Sequence, residues 1–507
     1  MVARPRCPRR GAAPVTAQAY RLDLSRRQSL SLISDIIFAN PFTERGAIDV
    51  ALPGMTPAGP DEHALATLAG PLGTILDELR REGVSRVDQL TGEDRRLFEH
   101  AVLFLVYDRH VADLDAHIRE QIVHGDEPIP VPFARDVLSA LVAHGFDTAR
   151  AHDLLALFFQ LRRAYHFIAD ALVGDSPSMH ALRHALWNNV LTRDIRLYAE
   201  HLRDRMEDFS TLLLGETGTG KGTAAAAIGR SGHIPYDPRR GRFRVSFTAT
   251  FTASNLSQFP ESLIESELFG HRKGAFTGAI DEHRGLLERC TSHGTLFLDE
   301  IGEVSVPVQI KLLGVLQERE FSPVGDHRRL RFAGRVVAAT NRALGGPGAR
   351  AGLREDFYYR LCSDVIEVPP LRRRIAESPG ELDRLVTLLV ERAIGRADEA
   401  LAADVAASIR DGVPPDYPWP GNVRELEQAV RRVLLSGRYH AAAPVSEDVF
   451  LDAVAAGRLD LAELLAGYCS RLHRALGSYD AVARHLGVDR RTVRRHVRAA
   501  SAADAEV

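Results

Sequence analysis

Between strand-like and helix-like sequence the chain reads Gly215-Glu216-Thr217-Gly218-Thr219-Gly220-Lys221-Gly222, with Thr223 next. Glycines at this spacing let backbone N–H groups wrap phosphate oxygens, and the lysine after them reaches the terminal phosphates. Leu212-Leu213-Leu214 before the loop and the helix-forming run Thr223 to Ile228 after it supply the strand and helix that such a loop needs. A second signal is Gly294-Thr295-Leu296-Phe297-Leu298-Asp299-Glu300, an apolar strand ending in two carboxylates. Asp299 suits a Mg2+ ion held through water, and Glu300 suits orienting or deprotonating an attacking water. One position departs from the usual pattern: Ser or Thr ordinarily follows the lysine to hold Mg2+, and here the residue is Gly222. Thr223 lies roughly 100° further round a helix and does not substitute for it. Metal coordination must then lean on other groups and on water.

The elements that must carry these residues are legible in outline. From about Thr211, short apolar strands alternate with helices, which predicts an α/β domain with a largely parallel sheet. Thr211–Leu214, Thr295–Leu298 and Arg335–Ala339 are the clearest strands. Helical sequence resumes from Ser378 to about Leu435, and a loose stretch from Gly437 to Ser446 leads to a small helical C-terminal unit. Upstream, residues 61–170 read mostly as helix, with apolar spacing of three and four over Leu65–Leu76, Leu97–Ile122, Ala134–Val142 and Ala151–Leu172. Residues 125–132 break that series, and Gly174 to Met179 reads as a hinge, with Ser176 placed to cap a helix.

The most specific segment is Gly274-Ala275-Phe276-Thr277-Gly278-Ala279, preceded by Glu267-Leu268-Phe269-Gly270-His271-Arg272-Lys273. Two glycines flank an aromatic and a hydroxyl residue, and a phenylalanine at a loop tip is costly to expose unless a partner covers it. These residues closely resemble the GAFTGA loop of bacterial enhancer-binding proteins, AAA+ ATPases that remodel RNA polymerase carrying the alternative factor sigma-54. The resemblance covers about residues 174 to 437. It implies an α/β AAA+ P-loop ATPase core with a helical lid, using ATP and Mg2+, and a loop whose six residues, Phe276 and Thr277 above all, contact sigma-54.

The same resemblance implies further roles. Gly215 to Thr223 would bind nucleotide, with Asp299 and Glu300 as the metal-binding and catalytic acids. Asn255 falls where the family has an asparagine that restrains the catalytic glutamate, although Tyr236 to Ala253 before it departs from the family pattern. Asn341, in Ala338-Ala339-Thr340-Asn341, looks like sensor I. Arg354 and Arg360 look like arginine fingers offered to a neighbouring subunit, where a guanidinium neutralises charge on the transferred phosphoryl group. Trp419 to Leu426 resembles the sensor II segment and places Arg424 against nucleotide. Fingers acting between subunits imply a homo-oligomer, a hexameric ring when active.

Ser478 to Leu486, Gly487-Val488, then Asp489 to Arg498 reads as helix, tight turn, helix, with Ser478 and Asp489 as N-caps. Ala483, Leu486, Val488, Val493 and Val497 are its expected packed face. Arg490, Arg491, Thr492, Arg494, Arg495 and Arg498 suit phosphates and base edges of double-stranded DNA in a major groove. This end is similar to the Fis-type helix-turn-helix of many sigma-54 activators, which bind an upstream enhancer. From Arg458 onward there are nine arginines, six acidic residues and no lysine, whereas the whole chain of 507 residues has a net charge of −3.

The first 170 residues name no ligand. A receiver domain finds little support: Ala101 to Asp108 faintly suggests a strand ending in aspartate, but its surroundings look helical. His110, His117 and His124 recur near one helix face but too far apart to share a metal, so a packed or solvated face is expected. Arg4, Arg6, Arg9 and Arg10 begin a basic arm without the apolar stretch of a secretory signal. The four cysteines, Cys7, Cys290, Cys362 and Cys469, form neither zinc-ligand pairs nor a disulfide framework, and no apolar run is long enough to cross a bilayer. A cytoplasmic protein without membrane contact is expected.

The expected organisation is a mostly helical regulatory region (1–173), the α/β ATPase subdomain (174–345), a helical lid (346–442), a linker (443–457) and an all-α helix-turn-helix domain (458–507). The expected function is ATP-dependent activation, remodelling sigma-54 polymerase from closed to open promoter complex. Two rivals are an AAA+ remodeller of another protein and a DNA-binding repressor with a degenerate ATPase.

Overall fold

A computed structural model describes residues 20–43, 67–342, 352–414, 416–441, 454 and 457–503. The basic arm with Cys7, the start of the helix expected from Leu65, the subdomain boundary at 345–346 and most of the linker at 443–457 lie outside the described residues. The chain forms two compact units, residues 1–406 with 416–431, and residues 407–415 with 432–507.

In the first unit, strands β1 (Thr211–Leu214), β2 (Phe251–Asn255), β3 (Thr295–Asp299), β4 (Arg335–Thr340) and β5 (Asp364–Glu367) form one sheet in the order β2-β3-β4-β1-β5. Every pairing is parallel. The three inner strands β1, β3 and β4 are near-continuous buried apolar runs because helices cover both faces, whereas the edge strands β2 and β5 are more polar and only partly buried. Leu212, Leu296, Leu298, Val336 and Ala338 enter one core, and Leu213, Phe297, Val337, Ala339 and Ile366 enter the other. Alternation along each strand therefore divides the sheet between two packed layers. Register sets Asn255 opposite Asp299 and Leu214 opposite Thr340, so the chemical residues emerge together at the carboxyl edge.

Among the described residues, the longer helices that precede the sheet are α1 (Leu24–Ile37), α2 (Ala69–Arg81), α3 (Gly92–Arg109), α4 (Val111–His124), α5 (Ala134–Ala143), α6 (Thr148–Tyr165) and α7 (Pro177–Leu191). The single helix expected over 97–122 is two, broken at His110, whose Nδ1 bonds Asp113 at 2.8 Å and whose ring stacks on Phe133. Ala101–Asp108 is helical throughout. The helix expected to run to Leu172 ends at Tyr165 and continues as a π-turn over His166–Asp170. Ser176 caps α7 as expected, accepting from Met179 N at 3.3 Å. The stretch around it is bonded rather than loose: Glu381 accepts from Asp175 N and Glu377 from Ser178 N.

Of these helices, α6 and α7 pack onto α8 (Lys221–Arg230), the helix that follows the glycine loop, and the others join the same continuous core behind them. The stretch that departs from the family pattern is part of the contact. Phe243 stacks on Phe159 with ring centroids 4.0 Å apart, Phe247 meets Phe167 at 5.5 Å, and Val131 N donates to Gly241 O. On the sheet's other side, α9 (Glu261–Phe269), α10 (Val306–Glu318) and α11 (Glu355–Leu361) close the second core. The chain continues through α12 (Leu371–Glu377), α13 (Glu381–Ile394), α14 (Glu399–Asp411) and α15 (Asn422–Ser436).

The second unit holds α16 (Leu461–Leu476), α17 (Tyr479–Leu486) and α18 (Arg490–Ala503). Ser478 caps α17 and Asp489 caps α18, each accepting the backbone N–H three residues on. The core is Cys469, Val482, Val493 and Val497, with Ala483 and Leu486 against it. Val488, expected inside, is 41% exposed because Gly487 at φ 66° turns the chain outward there, and Val482 fills the centre instead.

Candidate functional site

The glycine loop leaves β1 and enters α8 with Gly218 at φ 81° and Gly220 at φ 104°, conformations that a side chain rarely tolerates. A Cβ on Gly218 would lie 2.3 Å from the carbonyl oxygen of Gly421, so close approach of the lid also requires glycine. Lys221 is 6% exposed, and its Nζ donates to Gly215 O at 2.8 Å and Glu216 O at 3.0 Å. Burial lowers its ammonium pKa, opposed by the nearby Glu300 and Asp299 carboxylates.

Asp299 ends β3, and its Oδ1 accepts the N–H of Glu300 at 3.0 Å. Glu300 itself is at φ 55°, the left-handed region that is unusual for a non-glycine residue. Asn341 follows β4 and donates from Nδ2 to Thr217 Oγ1 at 3.2 Å, bringing the expected sensor residue onto the loop. Asn255 is in register with Asp299, but its Oδ1 caps its own chain by accepting from Ser257 N and Oγ.

From the other side the lid is bonded to the loop. Asn422 donates to Thr217 O at 3.0 Å and to Glu216 Oε2 at 3.2 Å, and Val423 N donates to Gly218 O at 3.0 Å. Arg372 forms a two-pronged pair with the Glu216 carboxylate, which holds Glu216 below its usual pKa. Arg424 lies beside Gly218, its Cβ 3.1 Å from where a Cβ on that glycine would be. Asn422 and Arg372 were not singled out in the sequence. A signal was there for Asn422, which stands two residues before Arg424 in the segment already selected.

Arg354 and Arg360 are held away from the loop. Arg354 is exposed and pairs with Asp356 at 2.8 Å, whereas Arg360 donates twice to Leu316 O. Gly222 and Thr223 are exposed on the first turn of α8, with no atom within 4 Å of a Cβ added at Gly222. Among the described residues no cluster of three or more His, Cys, Asp and Glu forms a protein-only metal cage. The donor set fits Mg2+ all the same, since that ion is usually held by one or two carboxylates together with phosphate oxygens and water. Asp299 is the carboxylate placed for it.

Residues 274–279 form a compact turn: Gly274 N donates to Ala279 O at 2.8 Å, and Ala279 N to Phe276 O at 3.0 Å. Gly274 and Gly278 sit at φ 80° and 103°. Phe276 is 38% exposed and rests edge-on against His271, with centroids 4.9 Å apart. Thr277 is exposed and Ala279 buried. At the base, Gly270 and Gly285 approach so closely that a Cβ on Gly285 would lie 2.3 Å from Gly270 N.

On α18, Arg490, Arg491, Arg494 and Arg495 are exposed, while the Thr492 hydroxyl is engaged by Asp489 in the N-cap. Arg498 lies on the same helix, its side chain outside the described residues.

A glycine loop on a central parallel strand, acids two strands away and a helical lid bonded to the loop define an AAA+ nucleotide-binding core. Residues 192–367 match the sigma-54 interaction domain. The chain is 33% identical over 393 residues to the C4-dicarboxylate transport transcriptional regulatory protein DctD of Rhizobium meliloti, covering 72% of this chain and 78% of that protein. It therefore belongs to the family of sigma-54-dependent transcriptional regulators, the enhancer-binding proteins. It is also 40% identical over 278 residues to the Nif-specific regulatory protein of Azotobacter vinelandii, 54% of this chain and 45% of that one. With the transcriptional activator HyfR of Escherichia coli the identity is 39% over 294 residues, 56% of this chain and 41% of that one. The chain thus spans less than half the length of these two relatives. A crystal structure of NtrX from Brucella abortus aligns over 72% of this chain and 80% of its own at TM-score 0.38 and 20% identity. No helix among the described residues is long and apolar enough to cross a membrane.

Proposed function

We propose that this chain is an ATP-driven cytoplasmic activator that opens promoter complexes of sigma-54 RNA polymerase from an upstream DNA site. Residues 174–345 and 346–442 serve as motor and lid, and residues 458–507 as the DNA-binding domain. Lys221 and the loop N–H groups hold the ATP phosphates, Asn341 and Arg424 flank them, and Glu300 orients the attacking water and takes its proton. Mg2+, held by Asp299 with phosphate oxygens and water, supplies neutralisation of phosphate charge when bound. Arg354 and Arg360 act on the neighbouring subunit's phosphates in a homo-hexamer. Arg354 needs only to leave Asp356, an exposed pair of small worth, to do so. Arg490, Arg491, Arg494 and Arg495 contact DNA.

The observation that carries this reading is the 274–279 turn, a rigidly hydrogen-bonded tip presenting Phe276 and Thr277 to solvent. Its test is promoter opening by sigma-54 polymerase with purified protein and ATP beside Thr277→Ala. Opening by the wild type alone, with equal ATP turnover in both, is expected; opening by both would overturn the loop's role. Gly222 favours a second reading, a DNA-binding repressor with a degenerate ATPase. Absence of ATP turnover in both proteins would support it.

A further inference from the structure

At the amino edge of the sheet, where β3 and β4 begin, a cleft of about 450 Å3 opens between α6, the turn Arg203–Asp208 and the segment that follows α8. The glycine loop leaves the carboxyl end of β1, so this cleft lies on the opposite edge of the same parallel sheet. Its volume falls in the range of small-molecule sites. Five cationic or basic groups line it: Arg203, Arg244, Arg335, His233 and His293.

Several of these groups have donors to spare. Arg203 makes no hydrogen bond among the described residues, although its side chain is only 18% exposed. Its Nη2 stands 3.8 Å from Asp153 and its Nε 3.6 Å from Asp204, both beyond hydrogen-bond reach. Arg244 is exposed and has no side-chain partner among the described residues. A hairpin fixes its place: Tyr236-Asp237 pairs with Arg242-Phe243, and Arg244 N donates to Pro235 O at 3.0 Å. In His233 the Nδ1 is sealed from solvent, which leaves Nε2 as the ring edge toward the cleft. Arg335 is held by neutral acceptors, Phe209 O at 2.9 Å and Asn189 Oδ1 at 2.8 Å, so contact does not cancel its charge.

The cations reinforce one another. Burial pushes the His233 imidazole down to about 3, and the charges of Arg203 and Arg163 act in the same direction, as does His293. Arg163 is fully buried beside the cleft, donating to Arg230 O at 2.6 Å and Gly232 O at 2.7 Å. Burial and then Arg244 lower His293. The carboxylates of the same wall face outward: Asp204 is 82% and Asp153 53% exposed, where water and salt screen them, and Glu207 pairs with Arg331 at 3.4 Å.

A phosphate group matches this set better than a carboxylate does. It brings three terminal oxygens and close to two charges, so donors converging from separate elements can all be used, whereas a carboxylate offers two oxygens. Val190, Met206, Ile228 and Pro235 supply apolar wall for an organic remainder. We propose that this cleft binds the phosphate group of a small phosphorylated molecule through Arg203, Arg244 and His233, at a site separate from the nucleotide loop. The stretch from Tyr236 that departs from the family pattern is what brings Arg244 to it.

Calorimetric titration of the full chain, kept saturated with ADP and Mg2+, with phenyl phosphate and with phenol tests the site. One-to-one binding of phenyl phosphate is expected, weaker at higher ionic strength, with no saturable heat from phenol. Arg203→Gln and Arg244→Gln should each weaken it by about tenfold or more, the worth of a charged hydrogen bond. Arg244 is exposed, so its variant answers even where Arg203→Gln fails to fold. Asp204→Asn, which removes a rim carboxylate, should tighten binding a few-fold. Lys221→Ala, titrated without ADP, should bind phenyl phosphate as the wild type does. Absence of saturable heat, equal binding of phenol, loss of binding in Lys221→Ala, or unchanged binding in Arg244→Gln overturns the site. Inorganic phosphate tests the organic part: weaker binding than phenyl phosphate supports it, and equal binding overturns it. If ADP itself gives no heat, the nucleotide-loop reading fails, while the arginine variants still decide this site.

Discussion

The side-chain amide of Asn422 donates to the backbone carbonyl of Thr217 at 3.0 Å, tying the first residue of a lid helix to the middle of the phosphate loop. The same side chain bonds Glu216 and, through Oδ1, accepts Leu371 N at 2.8 Å. Three elements thus meet at one fully buried residue held at φ 51°. Asn422→Ala leaves a buried N–H and a loop carbonyl unmatched and should cost about 2–4 kcal/mol in all. Lower thermal stability with about tenfold weaker binding of an ATP analogue is expected; unchanged affinity would show that the lid contact does not shape the loop.

Glu300→Gln keeps the size and the left-handed backbone of the residue while removing its basicity. Binding of ATP should be preserved and single-turnover hydrolysis should fall by roughly 10²- to 10⁴-fold, the usual worth of a general base. Normal hydrolysis would take Glu300 out of the chemistry.

At Gly222 there is room for a side chain, since no atom lies within 4 Å of an added Cβ. Gly222→Ser should stabilise the fold by about 0.5 kcal/mol through helix propensity. It should also restore a hydroxyl beside Lys221 and lower the Mg2+ concentration for half-maximal turnover several-fold. An unchanged Mg2+ requirement would mean that water already serves as well as the hydroxyl.

His117 gives a pH dependence of definite sign. It packs among Phe133, Phe159 and Phe243, and burial pushes its imidazole down to about 4. Near neutral pH both folded and unfolded states hold it uncharged. As pH falls below its unfolded value of about 6.5, the unfolded state takes up a proton that the folded state refuses, so stability falls until pH reaches about 4. The loss from this residue is at most about 3 kcal/mol. His117→Leu should flatten the decline of unfolding free energy across that window; an equal slope would place the titration elsewhere, with His100, similarly pushed down to about 4, the next residue to replace.

Much of this arrangement was legible from local pattern. β1, β3 and β4 are short apolar runs with no competing helical period, and Ser176, Ser478 and Asp489 cap the helices they precede. What escaped was set by tertiary contact. Nothing in Tyr107 to Val111 breaks a helix by propensity; at the break His110 stacks on Phe133, a contact from another element that the local sequence does not announce. Arg163 reads as an ordinary helix-surface arginine until α8 is brought against it. The helix Leu461–Leu476 falls within the all-α unit expected from residue 458, and Asp460 and Glu463 form a reciprocal capping box that marks its start.

The packing of Phe243 and Phe247 against Phe159 and Phe167 bears on how this regulator can be rearranged. A chain begun at Gly174 would carry Phe243, Phe247, Ala225 and Ile228 as bare oily surface where α6 had been. Such a fragment would tend to self-associate and precipitate. The N-terminal helices therefore behave as part of the motor's own hull, and grafting a foreign sensor in their place would demand a resurfaced motor as well as a new joint.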